Sequence, residues 1–398
     1  MDKTEKLRTR RHSFRFLFTG MALFFTLDSS ASVPDVYWSG FAFQGDSSAG
    51  ETMYPISTTL SQGADGKSSV FDDVLRPRIA AVRNESFNIV IEDYGKIGPD
   101  AASSIALAFV LDRETVSVEQ FGPEFKLLIE ISAQALFFDF KEKAVLASYP
   151  FTVQYVHVLD HKPTNQDTRN IVEALYLGGV KTNIFEQFTD ELQNVDLNLF
   201  VNRRMQVTNV SVSEDVRKQL PAVWREHLDD FKSSLANNFG RSLSRNQNIP
   251  VLPYSIGYAV RNRMATRFAN GKLVMFELPE ADYEVSLELK KVVKIEFDRV
   301  AAGTSYIYGT YLHVIAAEPL SGRVYIDQII KNGATKIVPT GQTTVDDWPA
   351  YQDSLTGLIE QFTTALSNPD KKWASKHIGS PDATADLLGF SKVVMSCR

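Results

Sequence analysis

Residues 186–192 read EQFTDEL and residues 360–366 read EQFTTAL, the same phrase written twice 174 positions apart. Phe185, Phe188 and Leu192 fall at steps of three and four, as do Ile359, Phe362 and Leu366. Each phrase therefore predicts a helix that buries one face. Around the two phrases the order of elements recurs as well. A strand-like run opens each copy, VYWSGFAF at 36–43 and RMQVTNVSV at 204–212. A helix follows each. In the second copy Trp224, Leu228, Phe231, Leu235, Phe239 and Leu243 make a continuous apolar stripe, with Pro221 just ahead of it. In the first, SSVFDDVLRPRIAAVR carries Val70, Phe71, Val74, Leu75 and Ile79 on one side and Pro77 as a kink or restart. Short strands come next, FNIVIEDYG and QNIPVLPYS.

Antiparallel ribbons then close each copy. EFKLLIEISAQALFFDF turns at KEK and returns as AVLASYPFTVQYVHV, and VIAAEPLSGRVYIDQII has the same shape with Ser321 and Gly322 at its tip. One element reads as an addition to the second copy. YEVSLELKKVVKIEF, residues 283–297, alternates apolar and charged residues as a half-buried strand with one wet face does. A duplicated module accounts for this order, with insertions falling in loops. The fold class expected is α/β (α+β): two similar modules, each packing helices on a largely antiparallel or mixed sheet. The divisions expected are a signal peptide at 1–31, a first α/β module at 32–197, a second with an extended β-ribbon at 198–370, and a polar C-terminal tail at 371–398 with an ill-defined helix at DATADLLGF.

The first residues set location. Six basic side chains, Lys3 to Arg15, precede the uncharged apolar stretch FLFTGMALFFTL, and Ser29 and Ala31 stand at small-residue positions for cleavage. That order is the order of a secretory signal peptide, and twelve apolar residues are too few for a spanning helix, which needs about 20. Without residues 1–31 the chain carries 36 Lys and Arg against 45 Asp and Glu, a net charge of −9. Such an acidic surface repels phosphate backbones, so no nucleic-acid partner is expected, and no later apolar run predicts membrane insertion of the mature chain. Cys397 is the sole cysteine, which excludes an internal disulfide and a cysteine zinc site. Its place next to the last residue predicts an exposed bystander thiol.

Signatures of chemistry are sparse. SQGADGKSS at 61–69 has Ser61 where a phosphate-binding loop needs Gly, so it reads as a polar turn. His157 and His161 flank Asp160 at the end of a strand, where a spacing of four separates side chains by about 13 Å. No G-x-S-x-G elbow occurs. The pairs Asp72–Asp73 and Asp229–Asp230 read as solvated helix faces. No catalytic, cofactor-binding or metal-binding residue is assigned, and no cofactor is expected. Tyr306, Tyr308 and Tyr311, close together in one strand, are the candidate partner-binding surface, weighed against packing under helices.

The stretches QVTNVSV, the helix at 221–245, NIPVLPYS and the hairpin IAAEPLSGRVYID together resemble a module of bacterial envelope proteins. It is similar to the anticodon-binding-like α/β domain of the curli secretion lipoprotein, the N-terminal domain of the Tol translocation protein, and the flagellar outer-ring proteins. The resemblance spans 204–366 and, through the duplication, 36–192. It implies an assembly or scaffolding role without catalytic residues. The lipid-bearing cysteine of the lipoprotein members is missing here. The expectation is a periplasmic or secreted scaffold that binds envelope proteins or a second copy of itself. The alternative is a hydrolase with its site between the two modules.

Overall fold

The computed structural model describes residues 33–45, 53–62, 69–91, 104–197, 203–254, 263–269, 271–342 and 345–398. The expected signal peptide lies outside them, as does the middle of the 61–69 loop. Strand β1 (Asp35–Gln44) runs parallel to β2 (Asn88–Val90) on one side and to β3 (Ile105–Phe121) on the other. β4 (Glu124–Asp139) and β5 (Ala144–Leu159) continue antiparallel from β3. The second copy repeats this wiring. β6 (Met205–Val212) pairs parallel with β9 (Tyr283–Val300), followed antiparallel by β10 (Gly303–Glu318) and β11 (Arg323–Pro339). A parallel bridge from Gln206 to Leu252 stands where β2 stands in the first copy.

Register irregularities repeat too. β1 slips against β3 between Trp38 and Gly40, and β6 slips against β9 between Val207 and Asn209. β4 slips between Phe137 and Phe138, and β10 between Ala316 and Ala317. Asp112 is the extra residue between Leu111 and Arg113, as Lys290 is between Leu289 and Lys291. Bulges cost ladder hydrogen bonds and bend strands, so three at matching positions are built into one shared plan. β9 is therefore no addition. Its counterpart β3 escapes a period-two reading because IALAFVL is buried on both faces, whereas β9 keeps one side wet.

In the first copy, α1 (Pro55–Ser61) and α2 (Val70–Ala81) follow β1, and α3 (Asn165–Leu177) and α4 (Ile184–Asn194) follow β5. α2 runs through Pro77 without a break. These helices bury Phe71, Leu75, Tyr176, Phe185 and Phe188 against one face of the first sheet, under Phe41, Phe109 and Phe151. At about 1.5–3 kcal/mol per buried large side chain, this aromatic cluster is the main support of the first half. In the second copy come α5 (Glu214–Gln219), α6 (Ala222–Glu226) and α7 (Leu228–Gln247), then after β11 α8 (Trp348–Ala365). EQFT sits in α4 and in α8, where Phe188 and Phe362 are both fully buried.

Two segments depart from the expected divisions. Residues 371–398 form α9 (Lys371–His377) and α10 (Ala383–Met395), and Leu387, Phe390, Val394 and Cys397 are fully buried in the second core. The polar letters lie on the outer side of these helices, which hid the apolar stripe. Cys397 is accordingly enclosed rather than exposed, and burial pushes its thiol up to about 12. The other segment is the hairpin β7 (Arg263–Phe268) and β8 (Leu273–Glu277). It comes from the second half of the chain but joins the first sheet, pairing Phe268 with Ala42 and Glu277 with Ala144. Its Met264, Phe268 and Phe276 cover Ala106, Ala108, Leu136 and Phe138 on the face opposite α1–α4.

Residues 33–398 consequently form one compact unit. Four layers follow: α1–α4, the first sheet, α7 with α8, and the second sheet. α7 and α8 touch both sheets, packing Phe239, Leu358 and Phe362 onto the second while Asn237, Arg241 and Thr356 face the first. The outer face of the second sheet has no helix on it among the described residues. Among them, too, no helix is long and apolar enough to cross a membrane.

Candidate functional site

Three consecutive charges, Asp112, Arg113 and Glu114, interrupt β3 at its bulge. A bulge re-aims neighbouring side chains, and these three do separate things. Asp112 is 2% exposed and accepts a hydrogen bond from Gln134 Nε2 at 2.6 Å, while Gln134 Oε1 accepts from Ser148 Oγ at 2.6 Å. Burial pushes the Asp112 carboxyl up to about 7, against the Gln134 bond and the Arg113 charge, which hold it down. Glu114 turns toward α1 and accepts from Ile56 N at 3.2 Å and Ser57 N at 2.8 Å, placing negative charge at that helix start. Burial raises its carboxyl, with the Ser57 bonds opposing.

Arg113 points into the interface with the second half. It is 6% exposed, its guanidinium carbon lies 4.6 Å from the centre of the Trp224 ring, and its Nη1 has no hydrogen-bond partner. Burial pushes its pKa below the ordinary arginine value, with the nearby Asp230 and Glu130 charges opposing. The matching bulge of the second sheet carries Lys290 and Lys291 instead, paired with Glu288 at 2.8 Å and set over Tyr311 at 5.8 Å. The same backbone device thus serves solvent in one copy and an interior in the other.

A cavity of about 440 Å³ opens beside Arg113, within the size range of sites for small molecules. Thr115, Ser117 and Leu128 of the first sheet form its floor, and Pro221, Trp224 and Trp348 from the second half form its roof. Glu130, Asp230, Asp346 and His227 reach its edges. Glu130 is engaged by Gln154 Nε2 at 2.6 Å and Asp346 by the Trp348 backbone N–H at 3.0 Å. Ser117 Oγ, also buried, has no partner. No nucleophile–base pair is therefore assembled among the described residues of this cavity, although it lies between the two copies. Nor is any group of three or more His, Cys, Asp or Glu there placed to hold a metal.

The candidate tyrosines are divided between faces. Tyr308 is fully buried, its hydroxyl donating to Asp347 and its ring edge-on to Tyr351 at 5.1 Å. Tyr306 shares that side, 4.4 Å from Lys294 Nζ, while Tyr311 lies on the other face beside Lys291. Tyr306 and Tyr308, two residues apart, share the side under α8, and Tyr311, three residues further on, falls on the other, so no three-tyrosine surface forms. The outer face instead gathers aliphatic residues at the ribbon's far end. The register sets Ile295 opposite Ile307, and Ser305 opposite Ile337, with Val300 opposite Gly303. Ile295, Val300 and Ile337 are 54%, 59% and 67% exposed. His157 stacks on Tyr155, and His161 pairs with Asp160 and Asp167, so the two histidines share no ligand.

The acid pairs also differ from expectation. Asp72 is no solvated surface acid: it accepts the Phe41 backbone N–H at 2.6 Å, and burial lifts its carboxyl to about 6. Asp230 edges the cavity. Arg113 and Ser117 escape a period-two reading because β3 is buried on both faces at its start; their trace in the sequence is a triple charge inside an otherwise strand-like run, IALAFVLDRETVSVEQF. Comparison with known families finds no matching family model, and comparison with curated proteins finds no match.

Proposed function

We propose that this chain is an exported, non-enzymatic scaffold or assembly factor that holds a second envelope protein on the outer face of its second ribbon. The observation that carries this reading is the cluster of Ile295, Val300 and Ile337, each more than half exposed on a face that no helix covers among the described residues. Contiguous exposed apolar side chains rimmed by polar ones mark interaction surfaces. Lys291 and Lys331 border the cluster from opposite sides of Tyr311. A partner with an apolar patch and an acidic rim fits this face, whereas a second copy would bring lysines of its own. The resemblance to envelope assembly modules and the basic, apolar, small order of residues 1–31 support the same setting.

The test places a photo-crosslinking residue at position 337 in the exporting cell and identifies the adduct by mass. The adduct partner, once purified, is expected to bind the wild-type chain and to bind an Ile295→Asp/Ile337→Asp variant at least tenfold more weakly. Adducts containing only a second copy of the chain, or equal binding by the variant, would overturn the reading.

A further inference from the structure

We propose that the cavity between the first sheet and α6–α8 binds an elongated small molecule with a single carboxylate, an apolar middle and a polar far end. Arg113 holds the carboxylate, Trp224 and Trp348 cover the middle, and Ser117 meets the far end.

The argument begins with Arg113. A buried guanidinium presents five donors and is almost never left without an acceptor, because an unmade bond of that kind is costly. Here Nη1 is buried without a partner, and the carboxylates that bear on Arg113, namely Asp230, Glu130 and the adjacent Asp112, form no ion pair with it. The guanidinium carbon lies 4.6 Å from the centre of the Trp224 ring, and Arg113 and Trp224 both line the cavity. A planar fork of donors matches a carboxylate bidentately.

Ser117 supplies a second anchor. Its hydroxyl is likewise buried without a partner, and Ser117 is one of the residues that line the same cavity. Residues 113, 115 and 117 alternate onto one face of β3, so the two anchors stand about 13 Å apart along the strand. Between them the walls are Leu128, Pro221, Trp224 and Trp348, which suit an apolar body. The charge of the lining selects the head group. Glu130, Asp230 and Asp346 at the rim disfavour a doubly charged phosphate, whereas a singly charged carboxylate is balanced by Arg113 itself. This inference is independent of the ribbon surface.

Three probes of one chain length separate the head groups: decanoate, decyl phosphate and decylamine, each added below micelle formation. Two of the four tryptophans line the cavity, so intrinsic fluorescence reads occupancy directly. Decanoate is expected to shift the emission saturably at one molecule per chain and to raise the melting temperature, with decyl phosphate at least tenfold weaker and decylamine without effect. Arg113→Met keeps the length of the side chain and is expected to weaken decanoate at least tenfold, with Arg113→Lys between the two. Circular dichroism confirms that each variant folds, and Leu128→Trp, which fills the cavity from the sheet side, removes binding with Arg113 intact. The proposal is overturned by decylamine binding more tightly than decanoate, by unchanged decanoate affinity in a folded Arg113→Met chain, or by no saturable binding of decanoate.

Discussion

Lys336 on β11 donates to Glu119 on β3 at 2.9 Å, joining residues 217 positions apart. Lys126 on β4 approaches the second Glu119 oxygen at 3.2 Å, and the Glu119 side chain is 5% exposed. A carboxylate so enclosed is tolerated only because two ammonium groups and their hydrogen bonds replace water. It ties the far ends of the two ribbons directly to each other. Glu119→Gln is expected to lower stability by about 1–3 kcal/mol, less than for a fully buried pair because both lysines keep some access to water. Lys336→Met is expected to cost less, since Lys126 remains. A double-mutant cycle in urea is expected to show coupling of about 1 kcal/mol. Additive losses would mean that the contact is incidental.

Asp112 makes stability fall as pH rises. Its carboxyl is held near 7 in the folded chain, above the ordinary 3.8, so the folded state favours the protonated form. A group raised in this way lends its full stability below pH about 4 and loses it as pH climbs through 7. Asp112→Asn removes the ionisation and keeps an oxygen for the Gln134 donor. The variant is therefore expected to melt higher than the wild type at pH 8 and to match it near pH 4. A constant difference across that range would show that Asp112 is not the group responsible.

Much of the plan was readable wherever a residue answers to only one neighbour. EQFT, the ribbon tips at residues 139–145 and 318–324, and the stripe from Phe231 to Leu243 all serve their own module, and periodicity exposed them. What stayed hidden depends on the other half. Met264 and Phe276 alternate well enough for strands, but no single-module template has a place for them because they cover the first sheet. Trp224 lies on the predicted apolar stripe and packs on Phe231 of its own module, yet its ring also meets Arg113 of the first copy. Arg113 itself reads as a surface charge until the second half covers it. The cavity is thus a product of how the copies join, and a repeat says nothing about how it meets its twin.

The last helix gives the sharpest test of where the second module ends. Leu387, Phe390, Val394 and Cys397 are each fully buried against β11 and α8, and Ser391 Oγ donates to the Leu366 carbonyl. Burial of large apolar side chains contributes about 1.5–3 kcal/mol each, so losing this set removes a large share of the roughly 5–15 kcal/mol by which a domain is stable. A chain stopped after residue 370 is expected to lose cooperative unfolding of the second sheet. In the intact chain the Cys397 thiol is both enclosed and pushed up to about 12, so it is expected to ignore an aromatic disulfide reagent at pH 8. Reaction should begin only over the denaturant range in which circular dichroism is lost. A thiol that reacts at once in native buffer, or a shortened chain that melts like the full one, would show that α10 is an appendage and not part of the core.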